Sequence, residues 1–182
     1  MRKSLLATLA AGLFATSAFA AMNPMVGGAE MFAEKNIVEN AMNSKDHTTL
    51  VAAVAAAGLV DTLKGAGPFT VFAPTNDAFA ALPAGTVDKL LQPDMKDTLT
   101  KVLTCHVVPV AAMSDAVTKM VMYDGGMHKI KTVGGCELTA SIKDGKVIIT
   151  DENGGAATVT IADVKQSNGV IHVIDKVLLP KS

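Results

Sequence analysis

From Met127 onward the chain is a series of Val-, Ile- and Thr-rich runs broken at short intervals by turn-forming pairs. The runs are "MHKIKTVGG", "CELTASIK", "KVIITDE", "ATVTIADV" and "GVIHVIDKVLLP". Between them stand Gly134-Gly135, Asp144-Gly145, Asn153-Gly154-Gly155 and Asn168-Gly169. Asp-Gly between alternating runs is a strong local signal for a hairpin. β-Branched residues at alternate positions suit a half-buried pleated surface. The second half is therefore expected to be an antiparallel meander.

The first half has a different period. Asn36 to Asn43 predicts a short helix. "DHTTLVAAVAAAGLVDTLKG" predicts a longer one, capped by Thr48 or Thr49, with Leu50, Val54, Ala57 and Val60 at helical spacing and Gly65 as its stop. "FTVFAP", Phe69 to Pro74, alternates as a strand. Thr75 or Asn76 can then cap a short helix in which Asp77 meets the positive end of the dipole. "GTVDKLLQPD" gives a further turn of helix, and "DMKDTLTKVLTCHVV" is helical to about Cys105. Helices segregated from strands predict an α+β domain.

The N-terminus is expected to be removed. Arg2 and Lys3, the apolar stretch Leu5 to Ala15 and the small-x-small site Ala18-Phe19-Ala20 form the three parts of a signal peptide, residues 1–20. Residues 21–35 read as a loose lead-in, and residues 36–182 as the domain. No other apolar run approaches the ~20 residues of a membrane span, and no cysteine follows the cleavage site. The chain is thus expected to be exported and soluble, either periplasmic or secreted.

Composition narrows the partners. Of 16 Lys and Arg, Arg2 and Lys3 leave with the signal peptide, so 14 face 17 acidic residues. That balance offers nothing to nucleic acid. Arg2 is the only arginine, there is no Trp, and Tyr123 is the single tyrosine. Arginine is the usual bidentate grip on phosphate and carboxylate, and Trp, Tyr and Arg dominate tight interfaces. No cofactor is expected.

Two stretches together resemble a known family. "FTVFAPTNDAFAALPAGTVDKLL" (with Thr75, Asn76, Asp77 and Phe79) runs into "LTCHVVP", and "NGVIHVIDKVLLP" (with His172 and Asp175) follows near the end. The pairing resembles the fasciclin (FAS1) domain over roughly residues 36–181. The resemblance implies a β-wedge of two antiparallel-rich sheets with helices packed at one side. It also implies adhesion or extracellular protein binding, not catalysis. It places a possible interaction surface at His106, Val107, Val108, Pro109 and Met113. The chain departs from the family pattern at Cys105, where members commonly carry Tyr, and at Val110, where many carry Gly. The tyrosine belongs to the region tied to integrin binding in animal members, so that receptor is not carried over.

Adjacent Cys105 and His106 raise the question of a reactive thiol. Neighbours on a helix point about 100° apart and on a strand to opposite faces, so the imidazole is not turned onto the thiol beside it. A zinc site needs about four ligands at recognisable spacing. Two cysteines 31 apart and His47, His106, His128 and His172 do not show it. An exported chain with two cysteines predicts a Cys105–Cys136 disulfide, the alternative being two buried thiols. In "GVIHVID", His172 shares a face with Val170 and Ile174. A core histidine there is expected to meet a backbone carbonyl or hydroxyl. Asp175 is expected to salt a sheet surface or cap a turn.

The competing functional reading is a periplasmic metal or small-ligand binder using segment 113–128. There Met113, Met120, Met122, Met127 and His128 offer soft donors suited to Cu(I). Methionines also serve as adaptable packing, and no Met-rich repeat is present. "TDENGG" carries oxygen ligands without calcium-loop spacing. No phosphate loop, nucleophile elbow or His-Glu-x-x-His motif occurs.

Overall fold

The computed structural model of the protein describes residues 22–181. The expected signal peptide lies outside them. Residues 22–35 form a turn closed by a Val26–Ala29 bridge, and Val26 and Met31 are buried in the core. The Asn23 side chain both accepts from Lys165 N (2.9 Å) and donates to Lys165 O (2.8 Å), fixing this segment to the sheet.

α1 (Ile37–Asn43) begins at a reciprocal cap: Glu39 N donates to the Asn36 side chain and Asn36 N to the Glu39 carboxylate. The single long helix expected next is two, α2 (Thr48–Ala56) and α3 (Val60–Lys64). Gly58 separates them at φ +74°, a left-handed conformation that ends a right-handed helix. Gly58 N donates to Ala55 O (3.0 Å) and Leu59 N to Val54 O (3.0 Å), which satisfies the last carbonyls of α2. β1 (Phe69–Pro74), α4 (Asn76–Ala80), α5 (Thr86–Leu90) and α6 (Lys96–Thr104) follow.

The caps expected near Thr48 and Thr75 are shared differently. Thr75 caps its own helix, its hydroxyl accepting from Ala78 N. Neither Thr48 nor Thr49 caps α2. Instead the Asn76 carbonyl oxygen accepts from Thr49 N (3.0 Å) and the Thr48 hydroxyl (3.2 Å), while its amide donates to Lys45 O (2.8 Å). Asn76→Ala is expected to cost about 1–2 kcal/mol in urea unfolding, as the loss of a cap does. Asn76→Asp, which keeps the acceptor, should recover part of it. Asp77 lies exposed in the first turn of α4, and Phe79 is buried in the core.

β2 (Val107–Val108) leads to α7 (Ser114–Tyr123), a helix with no counterpart in the sequence reading. Val117 and Val121, one turn apart, are its buried stripe. β3 (Met127–Lys131), β4 (Glu137–Lys143), β5 (Lys146–Thr150), β6 (Ala156–Gln166) and β7 (Gly169–Ile174) complete the chain as the expected meander.

Among the described residues the seven strands lie in the order β2-β1-β7-β6-β5-β4-β3. Consecutive strands from β3 to β7 pair antiparallel, whereas β1 and β7 run parallel from Phe69–Gly169 to Pro74–Ile174. These two neighbouring strands are covered on both faces, which explains their nearly unbroken apolar composition. β6 bends through register shifts between Val159 and Val164, pairing with β5 by one end and β7 by the other. The two parts of the α+β wedge are thus joined through one strand.

The core has two parts. Val71, Ala73, Ile171 and Val173 face the helical side, with Leu50, Val54, Leu99 and Val102. Phe72 and Ile174 face the other way, with Val117, Val121, Leu138 and Ile149 beneath α7. The period-2 alternation of β1 and β7 supplies both from the same two strands.

Candidate interaction surface

Cys105 and Cys136 are buried and joined in a disulfide with a Cα–Cα distance of 5.4 Å. Cys105 caps the end of α6, and Cys136 immediately precedes β4. The turn before Cys136 lies tight against the helix end, with Gly134 N donating to Thr104 O (3.0 Å). A Cβ on Gly134 would stand 2.6 Å from the Thr104 hydroxyl and 2.9 Å from Cys105 N, so only glycine permits this approach.

His106 is 2 % exposed. Its Nε2 accepts from Leu178 N (2.9 Å), so the proton sits on Nδ1, which donates to Val102 O (2.8 Å). Burial pushes its pKa down to about 4 against smaller opposing effects of the Val102 carbonyl and Asp151. The ring is a neutral clamp between α6 and the C-terminal segment. Val107 and Val108 are buried as well. The sequence-based placement of the interaction surface is therefore corrected: His106, Val107 and Val108 point into the core, because β2 pairs with β1 and packs under α6 and α7. Solvent is reached at Pro109 and beyond.

The segment Pro109–Met113 is held rigidly. The Thr70 hydroxyl donates to Val110 O (2.6 Å) and accepts from Ala112 N (2.8 Å). His172, buried beside Phe72, donates from Nε2 to Ala112 O (2.8 Å) and accepts at Nδ1 from Asp163 N (3.2 Å). Burial lowers its pKa too. Asp163, at φ +61° in the bend of β6, accepts from Ser114 N (2.6 Å) and from the Ser114 hydroxyl. Its carboxylate so caps α7 from across the sheet. Asp163 escaped the sequence reading because nothing local links it to Ser114. Met113 is half-buried at the start of this helix. Asp175, exposed at the end of β7, accepts from Thr158 N (2.7 Å).

Beyond this frame large apolar side chains are exposed among charged ones such as Lys119, Asp124 and Lys129. Val110 is 51 % exposed, Met122 74 %, Tyr123 92 % and Met127 66 %. Val110 also lines a groove of ≈ 220 Å³ between Pro109–Ala112 and β3, floored by Val108, Met120 and Ile130. The groove separates the two edge strands of the sheet, which come together at one end, where Val133 N donates to Val107 O (2.8 Å). Lys129 and Lys131 flank it, and Lys129 pairs with Glu137 at 2.7 Å. His128 is held by Asp124 at 2.6 Å. The methionines of segment 113–128 divide: Met120 packs on the core under α7, whereas Met122 and Met127 face solvent. Among the described residues no group of three or more His, Cys, Asp or Glu is placed to hold a metal ion.

The fold is an α+β wedge whose exposed large apolar side chains include Val110, Met122, Tyr123 and Met127. The Fasciclin domain profile matches residues 45–180, and the chain belongs to the fasciclin family. "Protein sll1483" of Synechocystis sp. is 54 % identical over 144 residues, covering 79 % of this chain and 73 % of that one. The immunogenic protein MPB70 of Mycobacterium bovis is 33 % identical over 173 residues, covering 89 % and 78 %. The transforming growth factor-beta-induced protein ig-h3 of Sus scrofa is 39 % identical over 131 residues, which are 72 % of this chain but 17 % of that protein. Among solved structures, a FAS1 domain pair from the insect cell adhesion molecule Fasciclin I superposes with a TM-score of 0.71 at 19 % identity, over 80 % of this chain and 51 % of that one. Among the described residues no helix is long and apolar enough to cross a membrane.

Proposed function

We propose that this fasciclin domain is an exported interaction module that binds a protein or cell-surface component through the strip formed by Val110, Met122, Tyr123 and Met127. The observation that carries the reading is Tyr123, the single tyrosine of the chain, standing 92 % exposed at the end of α7, the helix whose Val117 and Met120 line an apolar groove. Tyrosine is among the residues that carry interface energy, and an exposed apolar patch on a rigid frame is a usual docking surface. The adhesive role of the insect relative and the signal-like N-terminus agree with it. With few anchors a single contact is weak, and useful adhesion comes from many copies acting together.

The test is binding of protein-coated beads to the envelope of the native host, with soluble monomer as the control. Beads should bind far more strongly than monomer. Tyr123→Glu with Met127→Glu should lower bead binding about tenfold or more, as loss of an interface anchor does, while leaving the unfolding curve unchanged. Undiminished binding by the folded double variant would rule this surface out.

A further inference from the structure

A second cavity lies on the helical side of the sheet, and none of the strip residues lines it. It has a volume of about 280 Å³ and lies between α1, α2 and α3 and the helical face of the sheet. Val71, Ala73 and Ile171 form its floor, and Met42, Val51, Ala55 and Lys64 stand where the helices open to solvent. Native interiors hold few voids larger than a water molecule, and an engineered apolar cavity of ~150 Å³ already takes up benzene. This one is nearly twice that size.

Its chemistry selects an occupant. The polar side chains beside it are already committed: the Ser44 hydroxyl meets His47 Nδ1 at 2.8 Å, and His47 Nε2 meets Ala73 O at 3.4 Å. His106 is likewise bonded at both nitrogens. The interior thus has no free polar group to direct a polar ligand. At the opening the situation reverses. Lys64 is the one permanently charged residue lining the cavity, it is exposed, and among the described residues it has no ion-pair partner. The outer side of α2 adds a second sign. Ala52, Ala55 and Ala56 face solvent on a helix that carries no charged residue in Thr48–Ala56. A helix apolar all round is normally covered.

We infer that this cavity is a binding site for a single-chain carboxylate, a fatty acid, whose tail lies between the helices and the sheet and whose head meets Lys64. The ligand site is separate from the Tyr123 strip and does not depend on it.

Titration calorimetry of the purified protein with decanoate, 1-decanol and butyrate tests it. Decanoate should saturate at one per chain, butyrate should not bind, and decanol should bind about fivefold more weakly, the contribution of a partly exposed ion pair. Lys64→Gln should bring decanoate to the affinity of decanol. Ala55→Trp, a surface change that fills the opening, should abolish binding with the unfolding transition unchanged. Failure of decanoate to saturate overturns the site. Binding that survives Ala55→Trp, or equal affinities for decanoate and decanol, overturns it as drawn.

Discussion

Replacing Cys105 and Cys136 together by alanine is expected to lower the unfolding free energy by about 3–4 kcal/mol, on the chain-entropy account of a closed loop. The two residues are 31 apart in sequence. The loop between them contains β2, α7 and β3, so the bridge restricts the part of the unfolded chain that must otherwise find three separate docking places. Both sulfurs are buried, and the Gly134 turn packs directly on the end of α6, so the folded state needs no rearrangement to accept the bond. Denaturant curves of the oxidised protein, the reduced protein and the double variant should show the midpoint falling in the last two. A change in midpoint below that of 1 kcal/mol would mean that the native contacts alone hold the loop.

The second large effect concerns His106 and acid. In the folded protein its pKa is held at about 4, whereas an unfolded histidine titrates near 6.5. Between these values the unfolded chain takes up a proton that the folded chain refuses. Stability is therefore complete above pH 6.5 and falls as the pH drops toward 4, by about 3 kcal/mol over the whole window. His47 and His172, also lowered by burial, act in the same direction. His106→Ala should cost about 3–5 kcal/mol at pH 7, because it leaves Val102 O and Leu178 N buried without a partner and opens a cavity. The same variant should lose much of the pH dependence. Unfolding midpoints at pH 7.5 and 4.5 check both statements, and equal slopes for the native and variant proteins would contradict the assignment.

The legible parts of the fold were those written locally. Turn pairs such as Asp144-Gly145 delimit strands because the turn needs a left-handed residue wherever it occurs. The cap at Thr75 is likewise confined to a few residues. Misreadings arose where the partner is distant. α7 has a two-valine stripe and takes its cap from Asp163, 49 positions away, so its start carries no local mark. Asn76 reads as an alternative to Thr75 for the cap of α4 and serves α2 instead. Gly58 carries a signal for the break, but the alanine-rich run around it favours helix strongly enough to mask it. His106 follows a helix, a position that suggests exposure. Only Leu178, 72 positions on, shows that a tail covers it. For the site, the Met-rich segment was singled out, but which methionines face solvent depends on how α7 lies on the sheet.

Parallel pairing of β1 with β7 has a consequence for biogenesis. The β1–β7 ladder joins residues near 70 to residues near 170, so in a growing polypeptide β1 has no parallel partner until Ile174 has been synthesised. Loop closure over such a distance must precede most of the favourable burial, which makes acquisition of structure slow and late.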